Sequence, residues 1–233
     1  MGSKVAVIVG IGPGNGSALA RRFAAAGYAT ALLSRRLETS SALAGELGNS
    51  RAYACDATDA SAVGEVFQQI RADLGAVDTL VHNAGNAVWG DIESLSPRDF
   101  EDSWRVNTLG LVHTAQAVIP DMTATGGGNI AVIGATASKR GGAGFAAFAS
   151  SKAAQYVLAQ SMARHLSPRG VHVSYYVIDG AIDLPRSRQR MPDAPDDFFL
   201  QPADIAETVF NITQQPRSAW SFEVDLRPFG EKW

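Results

Sequence analysis

"VAVIVGIGPGNGSALARRF", residues 5–23, is the stretch whose reading decides the fold. Five apolar residues, Val5 to Val9, are too few for a helix and rich in β-branched side chains, which predicts a strand. Gly10, Gly14 and Gly16 follow with the spacing G-x-x-x-G-x-G, and a helical pattern then runs over Gly16–Ala26. Glycines between a strand and a helix permit a tight turn and a close backbone approach. A pyrophosphate fits there, its charge facing the amides of the helix N-terminus, and Asn15 lies inside the turn.

The same alternation continues down the chain. Thr30–Leu33, Ala52–Cys55, Thr79–His82, Ile130–Ile133, Val171–Ile178 and Phe222–Leu226 read as six further strands. Glu38–Leu47, Ser61–Leu74, Pro97–Met122, Ala143–Leu166 and Pro202–Gln214 read as helices between them. Pro97 and Pro202 suit first-turn positions, and "LSPRG" at Leu166–Gly170 reads as a helix stop. Alternation of this kind predicts an α/β fold of the Rossmann type: a seven-stranded parallel sheet sandwiched between two helical layers. One domain is expected over residues 1–233. Only Gly180–Leu200 reads as a long irregular segment. It carries Arg186, Arg188 and Arg190, then Asp193, Asp196 and Asp197, and is expected to be either a lid over the site or a solvated loop.

Composition narrows the class. The 233 residues are 46% hydrophobic and 18% charged, with a net charge of -3. That is ordinary for a soluble globular chain, and no basic cluster predicts a nucleic-acid partner. Cys55 is the only cysteine, which excludes an internal disulfide and suits a reducing compartment. No apolar run reaches the length of a membrane span, and Val5–Val9 is too short for a signal segment. Ala6 stands where a myristoylation signal needs serine or threonine. "NGS" at Asn15 and "NIT" at Asn211 match the glycosylation pattern, to no effect in a cytoplasmic chain. A cytoplasmic location is expected.

The second strand ends "LLSRR". Ser34 stands where an acidic residue would take the ribose hydroxyls of NAD, and Arg35 and Arg36 follow it. A small hydroxyl beside guanidinium groups suits a 2′-phosphate, because arginine pairs bidentately with phosphate oxygens. NADP(H) is therefore expected over NAD(H), although two solvated arginines at a helix start would look the same.

With these features in place, the chain resembles the short-chain dehydrogenase/reductase family over essentially its whole length. "CDATD" resembles the family's adenine-contacting motif, which places Asp56 and Ala57 beside the adenine. "HNAG" resembles its N-N-A-G strand end, with Asn83, Ala84 and Gly85 in register and His82 in place of the first asparagine. "VNTLG" resembles the helix motif that supplies a catalytic asparagine, here Asn107. The family's lysine, four residues after its tyrosine, falls on Lys152 and would hold the nicotinamide ribose. Gly180 and Ile182, after the sixth strand, would complete the cofactor site. The family's long helices also pair between subunits, which implies a homodimer or homotetramer.

The resemblance breaks at the reacting end. The tyrosine position, four before Lys152, is Phe148, and the serine position, thirteen earlier again, is Ala135. In the family those hydroxyls bind the carbonyl oxygen and deliver its proton. Such proton transfer is worth ~10²–10⁴ in rate, and an oxyanion donor a further ~10²–10³. Phe148 and Ala135 supply neither. Asp179 takes the position of a family proline and Asp183 lies near that of a threonine, so either is a candidate replacement acid. Thr136 and Ser138 are candidate hydroxyls. An Asp-Gly turn would account for Asp179 without any chemistry. The expected function is NADP(H)-dependent reduction of a small organic substrate, such as an imine or iminium, an enone or a carbonyl. The alternatives are a non-redox enzyme on the same fold and an NADPH-binding scaffold without turnover. No metal site is expected.

Overall fold

The computed structural model describes residues 3–230. Met1 and Gly2, where a lipidation signal would act, lie outside the described residues. In chain order the elements begin with β1 (Val5–Val9), α1 (Asn15–Ala25), β2 (Ala29–Ser34), α2 (Leu37–Leu47), β3 (Ser50–Ala54), α3 (Ala60–Asp73) and β4 (Val77–His82). The second half runs α4 (Pro97–Trp104), α5 (Gly110–Ala124), β5 (Gly128–Ile133), α6 (Ala146–Leu166) and β6 (Val171–Ile178). A short ribbon of β7 (Ala181–Ile182), α7 (Pro185–Arg190) and β8 (Phe199–Leu200) precedes α8 (Pro202–Thr213) and β9 (Glu223–Leu226).

Seven strands form one parallel sheet in the order β3-β2-β1-β4-β5-β6-β9. Every residue of β1 is buried, because the sheet is covered on both faces and alternate side chains enter different cores. Val5, Val7 and Val9 pack with α3, α5 and α6, whereas Ala6 and Ile8 pack with α1, α2 and α8. Three layers result, as the strand–helix alternation predicts. The strand order reverses between β1 and β4, and crevices at such reversals are where these sheets place ligands.

Two elements differ from the sequence expectation. Pro97–Met122 is not one helix: a π-helical segment, Arg105–Leu109, separates α4 from α5. The residues buried across it, Ser103, Asn107 and Thr108, are polar, so apolar spacing gave no sign of it, and π segments occur mostly at functional sites. Gly180–Leu200 is not irregular either. β7 and β8 pair in parallel, Ala181 with Phe199 and Ile182 with Leu200, around α7 and a 3₁₀ turn at Asp196–Phe198. Strands two residues long carry no periodic signal. The predicted helix starts are otherwise close: Pro97 and Pro202 do occupy the first turn, and Gly170 ends the "LSPRG" stop with φ +81°.

Candidate active site

The glycine turn is built to let backbone approach backbone. A Cβ at Gly10 would lie 2.6 Å from Ala84 N, and one at Gly16 would lie 2.4 Å from Gly10 O. Gly10 also has φ +95°, which only glycine adopts without strain. Asn83 fastens this arrangement, its side-chain Nδ2 donating to Gly10 O at 2.8 Å. Asn15, at the start of α1, is buried, and its Oδ1 has no hydrogen-bond partner among the described residues. A Cβ at Gly14 would meet Leu184 of the β7–α7 ribbon at 2.5 Å, so the ribbon closes directly over the turn. Free helix amides, an orphaned buried amide side chain and a cradle without side chains fit the pyrophosphate of a dinucleotide.

At the end of β2 the Ser34 hydroxyl donates to Arg36 O at 2.6 Å and lies 2.8 Å from the Ser40 hydroxyl of α2. Arg35 and Arg36 are exposed. Asp56 follows β3 and accepts from the Thr58 amide and hydroxyl at 2.9 and 2.8 Å. Burial pushes its carboxyl up, but the Thr58 hydrogen bonds and the charges of Arg35 and Arg105 hold it below the usual range. Arg35 and Asp56 thus lie close enough to act on each other. Ala57, which unlike Asp56 is buried, offers its carbonyl to His113 Nδ1 at 3.0 Å.

Beyond the turn, β4 runs out into Asn83, Ala84 and Gly85, and two buried side chains meet there. A Cβ on Gly85 would lie 3.0 Å from Asn107 Oδ1 and 3.6 Å from Lys152 Nζ. Asn107 sits in the π segment, and its Nδ2 is surrounded by Asn86 Oδ1 (2.7 Å), Ser103 O (3.0 Å) and Ser151 Oγ (3.2 Å). Lys152, on α6, donates to Ile133 O and to Gln155 Oε1, both at 3.0 Å. It is 5% exposed, and burial lowers its ammonium pKa to about 8. His82, wholly buried one residue before Asn83, is pushed down to about 3 by burial and then by the Lys152 charge, so it is neutral.

Phe148 and Lys152 share a face of α6, as their spacing requires. Phe148 packs on Trp89, ring centroids 5.4 Å apart, and Trp89 packs on Phe145 at 4.7 Å. Trp89 and Phe145 are both more than 40% exposed, so an aromatic wall stands open beside the site. Ala135 caps the 3₁₀ turn Thr136–Ser138 that follows β5. A cleft of about 280 Å³ lies next to this turn, bounded by Thr136, Arg140, Gly142, Phe145 and Asp179.

The four candidates for a replacement acid or hydroxyl divide sharply. Thr136 donates its hydroxyl to Asp179 Oδ1, and both line the cleft. Arg227 and Arg140 approach the same carboxylate at 3.6 and 3.9 Å. Ser138 instead is buried and donates to Ala135 O at 2.7 Å. Asp183 is gripped at both oxygens by Arg188, at 2.7 and 2.9 Å, and by Gln201 at 2.9 Å. These bonds hold its carboxyl down at about 2, which makes it a carboxylate and no proton donor near neutrality. Asp183, one of the two candidate acids, is placed as a clasp of the ribbon. Arg188 completes that clasp with Asp196 at 2.7 Å and lies over the Phe199 ring. Gly180 (φ +152°) lies where a Cβ would strike Pro228, and Ile182 pairs in the ribbon above the site.

Three residues of the site went unread in the sequence. Gln155 is the polar neighbour of Lys152, Trp89 builds the aromatic wall, and Arg140 rims the cleft. Only Gln155 left a signal, as a polar residue three positions after Lys152 on the same face of a helix.

Comparison with known proteins places the chain. The short chain dehydrogenase family matches residues 4–192. Carbonyl reductase family member 4 of Xenopus laevis is 26% identical over 219 residues, which cover 92% of each chain. An alcohol dehydrogenase of the archaeon Thermococcus sibiricus, solved with 5-hydroxy-NADP, superimposes with a TM-score of 0.88 at 29% identity, over 99% of this chain and 98% of that one. A metagenomic short-chain oxidoreductase in complex with NADP gives a TM-score of 0.84 at 28% identity, over 99% of both. With the sheet order, the glycine turn and the Asn107–Lys152 pair already in place, these matches make the chain a member of the short chain dehydrogenase family.

Proposed function

We propose that this chain is an NADP(H)-dependent reductase whose proton-delivering hydroxyls have been replaced, acting on a substrate that tolerates their loss. One solved relative described above holds NADP and the other 5-hydroxy-NADP, and the chemistry of Ser34, Arg35 and Arg36 suits a 2′-phosphate. Gly10, Gly14, Asn15 and Gly16 would hold the pyrophosphate, Asp56 and Ala57 the adenine side, and Lys152 the nicotinamide ribose. When bound, NADPH supplies a hydride to the substrate. The protein must then orient the acceptor carbon, exclude water and handle any proton.

The carrying observation is the pair Lys152 and Phe148, four residues apart on α6, with the lysine held and the phenol absent. An alkoxide forming from an ordinary ketone needs a donor in step with the hydride, and neither Phe148 nor Ala135 has one. An iminium carbon is already cationic and needs no proton, and a conjugated enone can be protonated later by water. Thr136 with Asp179 is the remaining pair that could move a proton within the cleft. The open wall of Trp89, Phe145 and Phe148 suits a flat, apolar substrate body.

Turnover of NADPH against a panel of ketones, iminium ions and enones tests this reading. Iminium or enone substrates should react at least ~10²-fold faster than unactivated ketones. Introducing Ala135→Ser with Phe148→Tyr should raise ketone reduction by a similar factor, and Asp179→Asn should slow the wild-type reaction. Rapid reduction of plain ketones by the wild type would sink the altered-acid reading. Tight NADPH binding with no turnover of any panel member would favour a scaffold.

A further inference from the structure

We infer that Gln155 is a positioning residue that tethers Lys152 to the backbone of Asn107 and so aims the lysine at the cofactor cleft. The inference rests on the reading of Lys152 as the ribose-binding group. Gln155 is completely buried one helical turn beyond Lys152. Its Nε2 donates to Asn107 O and its Oε1 accepts from Lys152 Nζ at 3.0 Å. The carboxamide therefore spans the π segment and α6 without any intermediary.

The chemistry leaves the amide one orientation. Turned over, Nε2 would face the Lys152 ammonium and Oε1 would face the Asn107 carbonyl, two repulsive contacts in a dry interior. Tyr175 reinforces the present orientation, its hydroxyl lying 3.5 Å from Gln155 Oε1. A lysine ammonium has three N–H bonds. Ile133 O and Gln155 Oε1 occupy two of them, and the group lies against Gly85, where a Cβ would stand 3.6 Å from Nζ. A leucine would fill the same volume here without the cost of burying a carboxamide. The polar residue is accounted for by what it holds.

The tether has an electrostatic consequence. Groups facing Lys152 from its neighbours are uncharged near neutrality: His82 from β4 is neutral, Asn107 and Gln155 carry no charge, and burial pushes the Tyr175 phenol of β6 up. Burial lowers Lys152, to about 8, and its two acceptors, Ile133 O and Gln155 Oε1, favour the charged form against that burial. Removing one must lower that value further, because an ammonium in a low-dielectric site depends on its hydrogen bonds.

The protein has only four lysines, so ε-¹³C-lysine labelling of the full chain with NMR titration reads Lys152 directly, Lys152→Arg giving the assignment. Gln155→Leu should move its midpoint down by at least one unit, a tenfold change in proton affinity. Gln155→Glu should move it up. NADPH should then bind the Leu variant roughly threefold more weakly at pH 7.5, with the gap closing by pH 6 as both lysines charge. Gln155→Met serves if the Leu variant does not fold. An unchanged Lys152 midpoint in a folded Leu or Met variant would overturn the tether. Lys152→Met tests the underlying reading separately: unaltered NADPH affinity there would remove the ribose role and leave the titration result standing.

Discussion

Ser34 and Arg35, at the end of β2, are the residues on which the proposed cofactor preference rests. Ser34 leaves room at the end of β2 that a carboxylate would fill with negative charge, and its hydroxyl is already engaged by Arg36 O and Ser40. Arg35 is exposed and its charge acts on Asp56, so its guanidinium is near that carboxylate but not buried in an ion pair. A dianionic 2′-phosphate would gain charge-assisted hydrogen bonds there that a ribose hydroxyl cannot match. NADPH should bind at least tenfold tighter than NADH, a gap of ~1.4 kcal/mol. Arg35→Ala should erase most of that gap in a fluorescence titration. Equal affinities of the wild type for both cofactors would refute the assignment.

At the scale of elements, two connections do the positioning. The π segment between α4 and α5 turns Asn107 toward Gly85 and offers its carbonyl to Gln155. The β7–α7–β8 ribbon is drawn over the glycine turn by Leu184 and locked by the Asp183–Arg188–Asp196 clasp. Both depend on a firm sheet beneath them. On the face of the sheet that carries α5, Asp121 stitches three elements, accepting from Arg71 Nε of α3 at 2.8 Å and from the Val77 amide of β4 at 3.1 Å. Asp121 is 11% exposed on its side chain, so its removal strands a backbone donor and a guanidinium in poor solvent. Asp121→Ala should cost about 2 kcal/mol in urea denaturation. By contrast Asp59, which caps α3 through the Ser61 and Ala62 amides, is worth only ~1 kcal/mol.

For the whole molecule, the sheet reversal between β1 and β4 brings the glycine turn, the "HNAG" strand end and the π segment to one edge. α4 and α6 present Trp104 and Val157, 43% and 60% exposed. Apolar side chains on helices that also carry the site's residues suit a contact between two copies of the chain. A dimer or tetramer is the expected state at micromolar concentration, measured by light scattering. A monomeric mass would refute it, and Val157→Glu should shift the assembly toward monomers.

The sequence by itself determined the sheet, because β-branched runs and helical runs alternate strongly enough that only a covered parallel sheet buries both. It also marked the tight turn between β1 and α1, since Gly10 and Gly16 stand where backbone touches backbone and Gly14 where Leu184 closes in. Asn107 and Lys152 were legible only through their resemblance to a family pattern, but the structure brings them together as that pattern implies. Tertiary structure alone decided the rest. Asp179 and Asp183 look alike in "VIDGAID", yet one faces the cleft with Thr136 and the other is held by Arg188, five residues further along the chain. The π segment and the end of α4 bury polar residues, Ser103, Asn107 and Thr108, which carry no apolar period, and the ribbon has strands too short to show one. Gln155 acquired its place only when α6 came to rest against Asn107. Local patterning reports which face of an element is buried; which partner a buried polar group finds depends on contacts between residues far apart in the chain.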